Sequence, residues 1–185
     1  MKFGEDQPEL DDIDLGILSI LQENCRVSLA KIGEQVDLSP PSVVERLKKL
    51  EDSGLVKGYH AILDARRLGL DVTAFIGVSI GHPKAIDSFE AEIAAVGGVL
   101  ECHHVTGGYT LLLKVKTRNT SSLEALISRI RSIEGVERTE TMVVLSTHCE
   151  KTQLQLDKPP PIPRLEDQAE RKPRRNGHAA RQLRG

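Results

Sequence analysis

Apolar residues recur every three or four positions through the first third of the chain and every second position from residue 72. The change of period predicts helices first and strands after. In Leu10–Glu23, Ile13, Ile17, Leu18 and Leu21 share one helical face, and Asp11 or Asp12 can cap the start. Ser28 caps a second helix whose buried stripe is Leu29, Ile32 and Val36. Asp37 follows as a turn residue that tolerates left-handed backbone, and Leu38 turns inward. Ser39 caps a third helix, residues 40–52, with Pro40 and Pro41 in a first turn that needs no N–H donor. Val43, Leu47 and Leu50 repeat at i, i+4 and i+7 and face the core, and Gly54 is the C-terminal cap. Leu55–Leu63 reads as an extended segment, a short wing or connecting strand.

From Val72 the strand period takes over, with Val72, Ala74, Ile76, Val78 and Ile80 alternating with other residues. Ile86, Phe89, Ile93 and Val96 restore helical spacing, which Gly97-Gly98 ends. Val99–Val105 is a second strand, Gly107-Gly108 a hairpin turn, and Tyr109–Lys116 a third strand. Ser121 or Ser122 caps a helix carrying Leu123, Ile127 and Ile130; Gly135 closes it and Val136–Thr147 is the last strand. Strand-helix-strand thus occurs twice, with Gly98-Val99 echoed by Gly135-Val136, as in a ferredoxin-like split βαβ unit. Two helices cover one face of such a sheet, and a second subunit is the simplest cover for the other. The expected class is α+β. Residues 1–60 form a winged helix-turn-helix, 61–71 a linker, 72–152 a ferredoxin-like ligand and assembly domain, and 153–185 a Pro/Arg-rich disordered tail.

On the helix of residues 40–52, Ser42, Glu45, Arg46, Lys48 and Lys49 lie away from the apolar stripe. A helix placed in the DNA major groove would offer Ser42 and Glu45 to base edges and Arg46, Lys48 and Lys49 to phosphates or guanine. Ser28, Ser39 and Pro41 complete the candidate DNA-binding set. The plainer alternative is an amphipathic helix hairpin with a solvated charged face. The basic signal is local, since residues 1–60 hold more acids than bases. Arg66-Arg67 in the linker is a solvated loop or a further contact to the DNA backbone.

These residues resemble the leucine-responsive regulatory protein/AsnC family of transcription regulators. The matching words are Leu10-Asp11-Asp12-Ile13-Asp14, Ile17-Leu18, Leu21-Gln22, Arg26-Val27-Ser28, Leu38-Ser39-Pro40, Glu45-Arg46-Leu47, Leu50-Glu51, Gly54-Leu55-Val56 and Gly58-Tyr59. Val105-Thr106-Gly107 with Tyr109 and Leu111-Leu112 looks like the family's ligand-domain turn, so the likeness runs from about Leu10 to Cys149. It implies a DNA-binding head on a ferredoxin-like domain, homodimers and larger assemblies of them, and response to amino acids. It also implies an effector cleft at the turn after the second strand, carried here by Val105, Thr106, Gly107, Gly108, Tyr109 and Thr110, with Thr139 and Thr141 as weaker candidates. The Gly107 and Gly108 N–H groups could hold a carboxylate, or the pair is simply a tight hairpin. The family commonly has Asp where Gly108 and Thr110 stand, so a partner for an amino-acid ammonium is missing at those two positions. Two rival readings stand beside the regulator: an architectural, nucleoid-type DNA-binding protein, and an enzyme similar to the siroheme decarboxylases with His103 or His104 in acid-base work.

Composition narrows the rest. Of 185 residues 39% are hydrophobic and none is Trp, so cores must be built from Leu, Ile and Val. No apolar run approaches the roughly 20 residues of a membrane helix, and the acidic N-terminus does not read as an export signal. Cys25, Cys102 and Cys149 are too few and scattered for a disulfide framework, so a cytoplasmic protein with reduced thiols is expected. The net charge of −2 conceals an asymmetry: from Lys158 onward eight bases face three acids, a +5 tail that leaves −7 for residues 1–157. That tail is either a non-specific phosphate contact or a solvated extension. Cys102-His103-His104 and His148-Cys149 invite a metal reading, but their spacing matches no zinc motif and their strands are opposite sheet edges. No nucleophile-base pair, Walker loop or dinucleotide fingerprint occurs. The expected partner is double-stranded DNA, with a small effector such as an amino acid, and with no metal, cofactor, membrane or catalytic residue.

Overall fold

A computed structural model of the chain describes residues 9–157, which fall into two compact units: residues up to Tyr59 together with those from Thr152, and His60–Lys151. Most of the expected tail lies outside the described residues.

The head is built from α1 (Asp12–Glu23), α2 (Leu29–Val36) and α3 (Pro40–Asp52). Asp11 and Asp14 form a reciprocal capping box at the start of α1, in which the Asp14 N–H donates to Asp11 Oδ1 over 2.8 Å. The Lys31 N–H donates to the Ser28 hydroxyl at the start of α2. Ile17, Leu18, Ile32, Val43 and Leu50 form the buried centre, with Ile13, Val36, Leu38, Leu47 and Val56 around it. Leu29, expected in the buried stripe, is 40% exposed because it opens α2 at the head's edge. Asp37 adopts the left-handed conformation (φ 56°) that turns α2 into α3. Gly33 makes that turn possible: a Cβ there would overlap the Leu38 carbonyl, while the Leu38 N–H donates to the Gly33 carbonyl at 2.9 Å. Ser39 holds the N-cap backbone position of α3, but its hydroxyl pairs with the Ser42 hydroxyl at 2.9 Å instead of a backbone N–H. Residues 57–64 pair with no strand among the described residues, so the expected wing is here an unpaired connection.

The second unit runs β1 (Val72–Ile80), α4 (Ile86–Ala94), β2 (Val99–His104), β3 (Leu111–Thr117), α5 (Thr120–Arg131) and β4 (Val136–Val143). The sheet order is β2-β3-β1-β4 with every pair antiparallel. Ala74, Ile76, Val78, Leu111, Leu113 and Val115 bury their side chains against Phe89 and Ile93 of α4 and Leu123, Leu126 and Ile130 of α5. Asn119, not Ser121 or Ser122, caps α5; Ser122 is its reciprocal partner in a capping box. The third strand starts two residues later than expected and the fourth ends four residues earlier. One correction concerns the tail. Residues 153–157, which composition assigned to it, lie on the head, where the Leu154 N–H donates to Gln22 and Leu156 packs against the core.

Candidate nucleic-acid interface and effector hairpin

Core residues Val43, Leu47 and Leu50 fix the inward side of α3, so Pro41, Glu45 and Lys48, with the same spacing, occupy the outward side. All three are exposed, as is Lys49. Val44, at the border of that surface, is 47% exposed, an apolar group beside the charges that the charge pattern alone did not single out. Ser28 and Ser39 are exposed at the starts of α2 and α3, and Ser42 is half-buried next to Ser39.

Arg46 departs from this group. Its Nη1 donates to Asp14 Oδ1 and to Asp11 Oδ2, each at 2.7 Å, and its side chain keeps 29% exposure. Its hydrogen bonds to Asp14 and then Asp11 raise the guanidinium pKa further. The Asp14 N–H, and then Arg46, hold Asp11 below the usual carboxylate range. The sequence assigned Arg46 to DNA; the structure places it as a strut between α1 and α3, in a groove of about 650 Å³ lined by Asp11, Asp14, Ser42, Glu45 and Lys49. The clue was present in Asp11 and Asp14 of the Asp11-Asp12-Ile13-Asp14 run, of which only Asp11 was given a structural role from sequence, as an alternative with Asp12 for the cap.

In the second unit, Val105–Thr110 is a wider hairpin than a two-residue Gly-Gly turn. It is closed by the Val105 N–H donating to the Thr110 carbonyl at 3.1 Å, with Gly107 at φ 120°. Thr110 is tied to β1, its hydroxyl accepting from the Ile80 N–H and its own N–H donating to the Val78 carbonyl. The Tyr109 ring lies over Gly77, where a Cβ would come within 2.6 Å of it. A hydrogen bond with Glu140 raises the Tyr109 hydroxyl pKa. Glu140 in turn accepts from Arg138 at 2.8 Å. Gly77 and Glu140, opposite one another in register, are neighbours of the hairpin tyrosine that sequence reasoning did not single out.

Thr139 and Thr141 do not join that cluster. They stand opposite Val78 and Ile76, whose side chains are buried under the helices, and Thr139 accepts from Arg131 of α5 at 2.7 Å. The hairpin's tyrosine and the two threonines therefore face opposite sides of the sheet. The same parity separates the histidines: His103 stands opposite Leu112 and pairs with Glu101, while His104 stands opposite buried Leu111. Among the described residues no three His, Cys, Asp or Glu side chains cluster as metal ligands, and no helix is long and apolar enough to cross a membrane.

Lys114 and Lys116 occupy the helix-free face of β3, where Glu101 and Glu150 pair with Lys114 and Glu150 with Lys116. Glu150, then Glu101, raise the Lys114 pKa, and Lys114 holds Glu150 low. That face therefore carries largely compensated charge.

Both units match known modules. The AsnC-type helix-turn-helix domain matches residues 10–51 and the Lrp/AsnC ligand binding domain residues 73–154. The HTH-type transcriptional regulator FL11 of Pyrococcus horikoshii is 37% identical over 145 residues, covering 78% of this chain and 95% of FL11. Regulatory protein AsnC of Escherichia coli is 31% identical over 144 residues, covering 77% of this chain and 95% of AsnC. Among solved structures, a Neisseria meningitidis transcriptional regulator in complex with L-Met superposes with a TM-score of 0.77 at 34% identity, over 80% of this chain and 98% of the other. The Escherichia coli AsnC structure gives a TM-score of 0.71 at 30% identity, over 82% and 99%. With both modules present in order, and with the match running along nearly the whole of these regulators, the chain belongs to the Lrp/AsnC family and is a DNA-binding transcriptional regulator.

Proposed function

We propose that α3 reads the major groove through Pro41, Ser42, Glu45, Lys48 and Lys49, with Ser28 and Ser39 at the helix starts approaching the DNA backbone. The supporting observation is the exposed Pro41-Glu45-Lys48 stripe directly opposite the core stripe of the same helix. Glu45 can accept from a cytosine amino group, Val44 can meet a thymine methyl, and the two lysines supply charge for phosphates. Arg46 works indirectly, fixing the angle of α3 against α1. Two copies of the chain, joined through their second units, place two such helices about one duplex turn (~34 Å) apart on a roughly palindromic site in the cytoplasm.

The effector reading rests on the Val105–Thr110 hairpin. Tyr109, held over Gly77 and beside Glu140, gives it an aromatic wall next to a carboxylate that can receive an ammonium. Because Gly108 and Thr110 offer no charge, Glu140 is the acidic group nearest the Tyr109 hydroxyl that could take that part. The related meningococcal regulator was crystallised with L-Met, and an amino acid is the effector class proposed for this chain. Thr139 and Thr141, on the helix side of the sheet, take no part.

The experiment is selection of bound sequences from a random duplex library by the full chain, repeated with each of the twenty amino acids. Enrichment of one palindromic motif that Glu45→Ala relaxes at a single position supports the reading. Binding with no enriched motif would move the chain to the architectural class.

A further inference from the structure

Arg138 and Glu140 stand two positions apart on β4, on the face of the sheet away from the helices, and Arg138 Nη2 donates to Glu140 Oε2 at 2.8 Å. Their side chains keep 70% and 45% exposure. An ion pair so open to water is weakly held, because either group loses little by returning to solvent. Glu140 has a second partner in the Tyr109 hydroxyl, and the Tyr109 ring is fixed against Gly77. Tyr109, Glu140 and Arg138 thus form a chain of phenol, carboxylate and guanidinium beside the hairpin. The hairpin itself brings no charged side chain: Gly108 has none, and the Thr110 hydroxyl is engaged by the Ile80 N–H. Glu140 and Arg138 are the two charged groups that act on the Tyr109 phenol.

We propose that the Arg138–Glu140 pair is the latch of the effector site: an amino acid opens it, its ammonium replacing the guanidinium on Glu140 while its carboxylate receives the released Arg138. This rests on the hairpin being the effector site. A planar guanidinium matches a carboxylate with two parallel hydrogen bonds, so Arg138 is suited to the second half of the exchange. One ion pair becomes two with no change in net charge, because the ligand is a zwitterion. Ligands with one of the two groups fail for opposite reasons. An amine or an amino-acid amide can take Glu140, but it leaves Arg138 unpaired beside a second cation. A 2-oxo acid can meet Arg138, but it has nothing to offer Glu140 and adds an anion next to it. Arg138 is therefore the resident competitor for Glu140 and the residue that selects for a free carboxylate.

A thermal-shift screen of the full chain with the twenty L-amino acids selects the one that raises Tm most. That acid, its amide, its decarboxylated amine and its 2-oxo acid are then titrated calorimetrically into wild type, Arg138→Gln, Arg138→Lys and Glu140→Gln. Wild type should prefer the free amino acid over each of the other three by ~10-fold or more. Arg138→Gln should bind the amino acid ~10- to 100-fold more weakly, yet bind the amine more tightly than wild type does, since the competitor for Glu140 is gone. Arg138→Lys, which keeps the charge without the planar fork, should fall between. A residue with only a structural role would move both ligands in one direction, so parallel losses overturn the latch. Tighter binding of amino acid and amine together overturns the carboxylate role of Arg138. Unchanged amino-acid binding by Arg138→Gln, with binding lost in Glu140→Gln, overturns this inference alone. Insensitivity to Glu140→Gln, or no amino acid bound by wild type, instead removes the effector reading beneath it.

Discussion

Arg46 of α3 and Asp14 of α1 meet at 2.7 Å, and Asp11 meets the same nitrogen, so the recognition helix is braced by the N-terminal turn of the helix behind it. On the proposed reading, a group so engaged shapes DNA binding through geometry. Arg46→Ala and Asp14→Asn should each weaken specific binding about tenfold, close to 1.4 kcal/mol, with an unchanged salt slope and a small loss of thermal stability. Exchanging the charges, Arg46→Asp with Asp14→Arg, should restore part of the affinity. Anisotropy titrations at several salt concentrations check this. A slope reduced by about one in Arg46→Ala, without rescue by the exchange, would show a phosphate contact instead.

Lys48 and Lys49 are exposed on α3 and are proposed to supply charge to phosphates. Replacing either with Ala should weaken binding to specific and random duplexes alike and lower the salt slope by about one per residue. Glu45→Ala should do the reverse, changing base preference at one position with the slope intact. Competition titrations with point-substituted operators separate the two; a uniform loss for Glu45→Ala would refute its placement at a base edge.

Why the sequence did not reveal the ion pairs of Arg46 is a matter of range. Helices α1 to α3, their caps at Asp11 and Ser28, and the left-handed Asp37 were legible because each depends on residues within a turn or two. The partner of Arg46 lies 32 positions away, and no local pattern distinguishes a braced arginine from a free one. The strands of the second unit were equally legible from their period. What the alternation could not say was which parity of β4 faces the helices. A register shift at Ser79/Ile80 puts Val136 against the core on the same side as Thr139 and Thr141 despite its opposite parity, so alternation alone did not place the two threonines away from the hairpin tyrosine.

Gly33 carried no obvious signal within an eight-residue helix, yet it is where the turn of the helix-turn-helix comes closest to α2. A methyl group there meets the Leu38 carbonyl, a backbone atom that cannot rotate away. Gly33→Ala should destabilise the head by about 1–3 kcal/mol and tilt α3, while the second unit stays folded. Hydrogen exchange read separately for residues 12–52 and 72–143 measures this. Equal protection of the head in the variant and the wild type would mean that α2 and α3 tolerate a wider turn.

Gly77 and Tyr109 form the analogous close contact in the second unit. Gly77→Ala should push the ring off the sheet and away from Glu140, lowering the Tyr109 pKa toward that of a free phenol and abolishing effector-dependent changes in DNA binding. With two tyrosines and no tryptophan in the chain, near-ultraviolet circular dichroism reports these rings without masking, and Tyr109→Phe assigns the lost band. A variant that keeps both the band and the effector response would leave Tyr109 outside the effector site.

Tyr59 provides a pH test of the head. Burial, and then the hydrogen bond from its hydroxyl to Glu51 Oε1 at 2.8 Å, push its pKa up to about 12 from an ordinary 10.0. A phenol raised on folding means the folded head prefers the neutral form. Its contribution to stability is therefore complete below pH 10 and is lost as pH rises from about 10 through about 12. Absorbance titration of tyrosinate should show Tyr59 ionising well above the phenol of the unfolded chain. Because burial is the larger cause, Glu51→Gln should bring its midpoint only part of the way down. A single transition at pH 10 for both tyrosines, identical in wild type and Glu51→Gln, would mean that Tyr59 is free in solution and does not fasten the end of α3 to the connection beyond it.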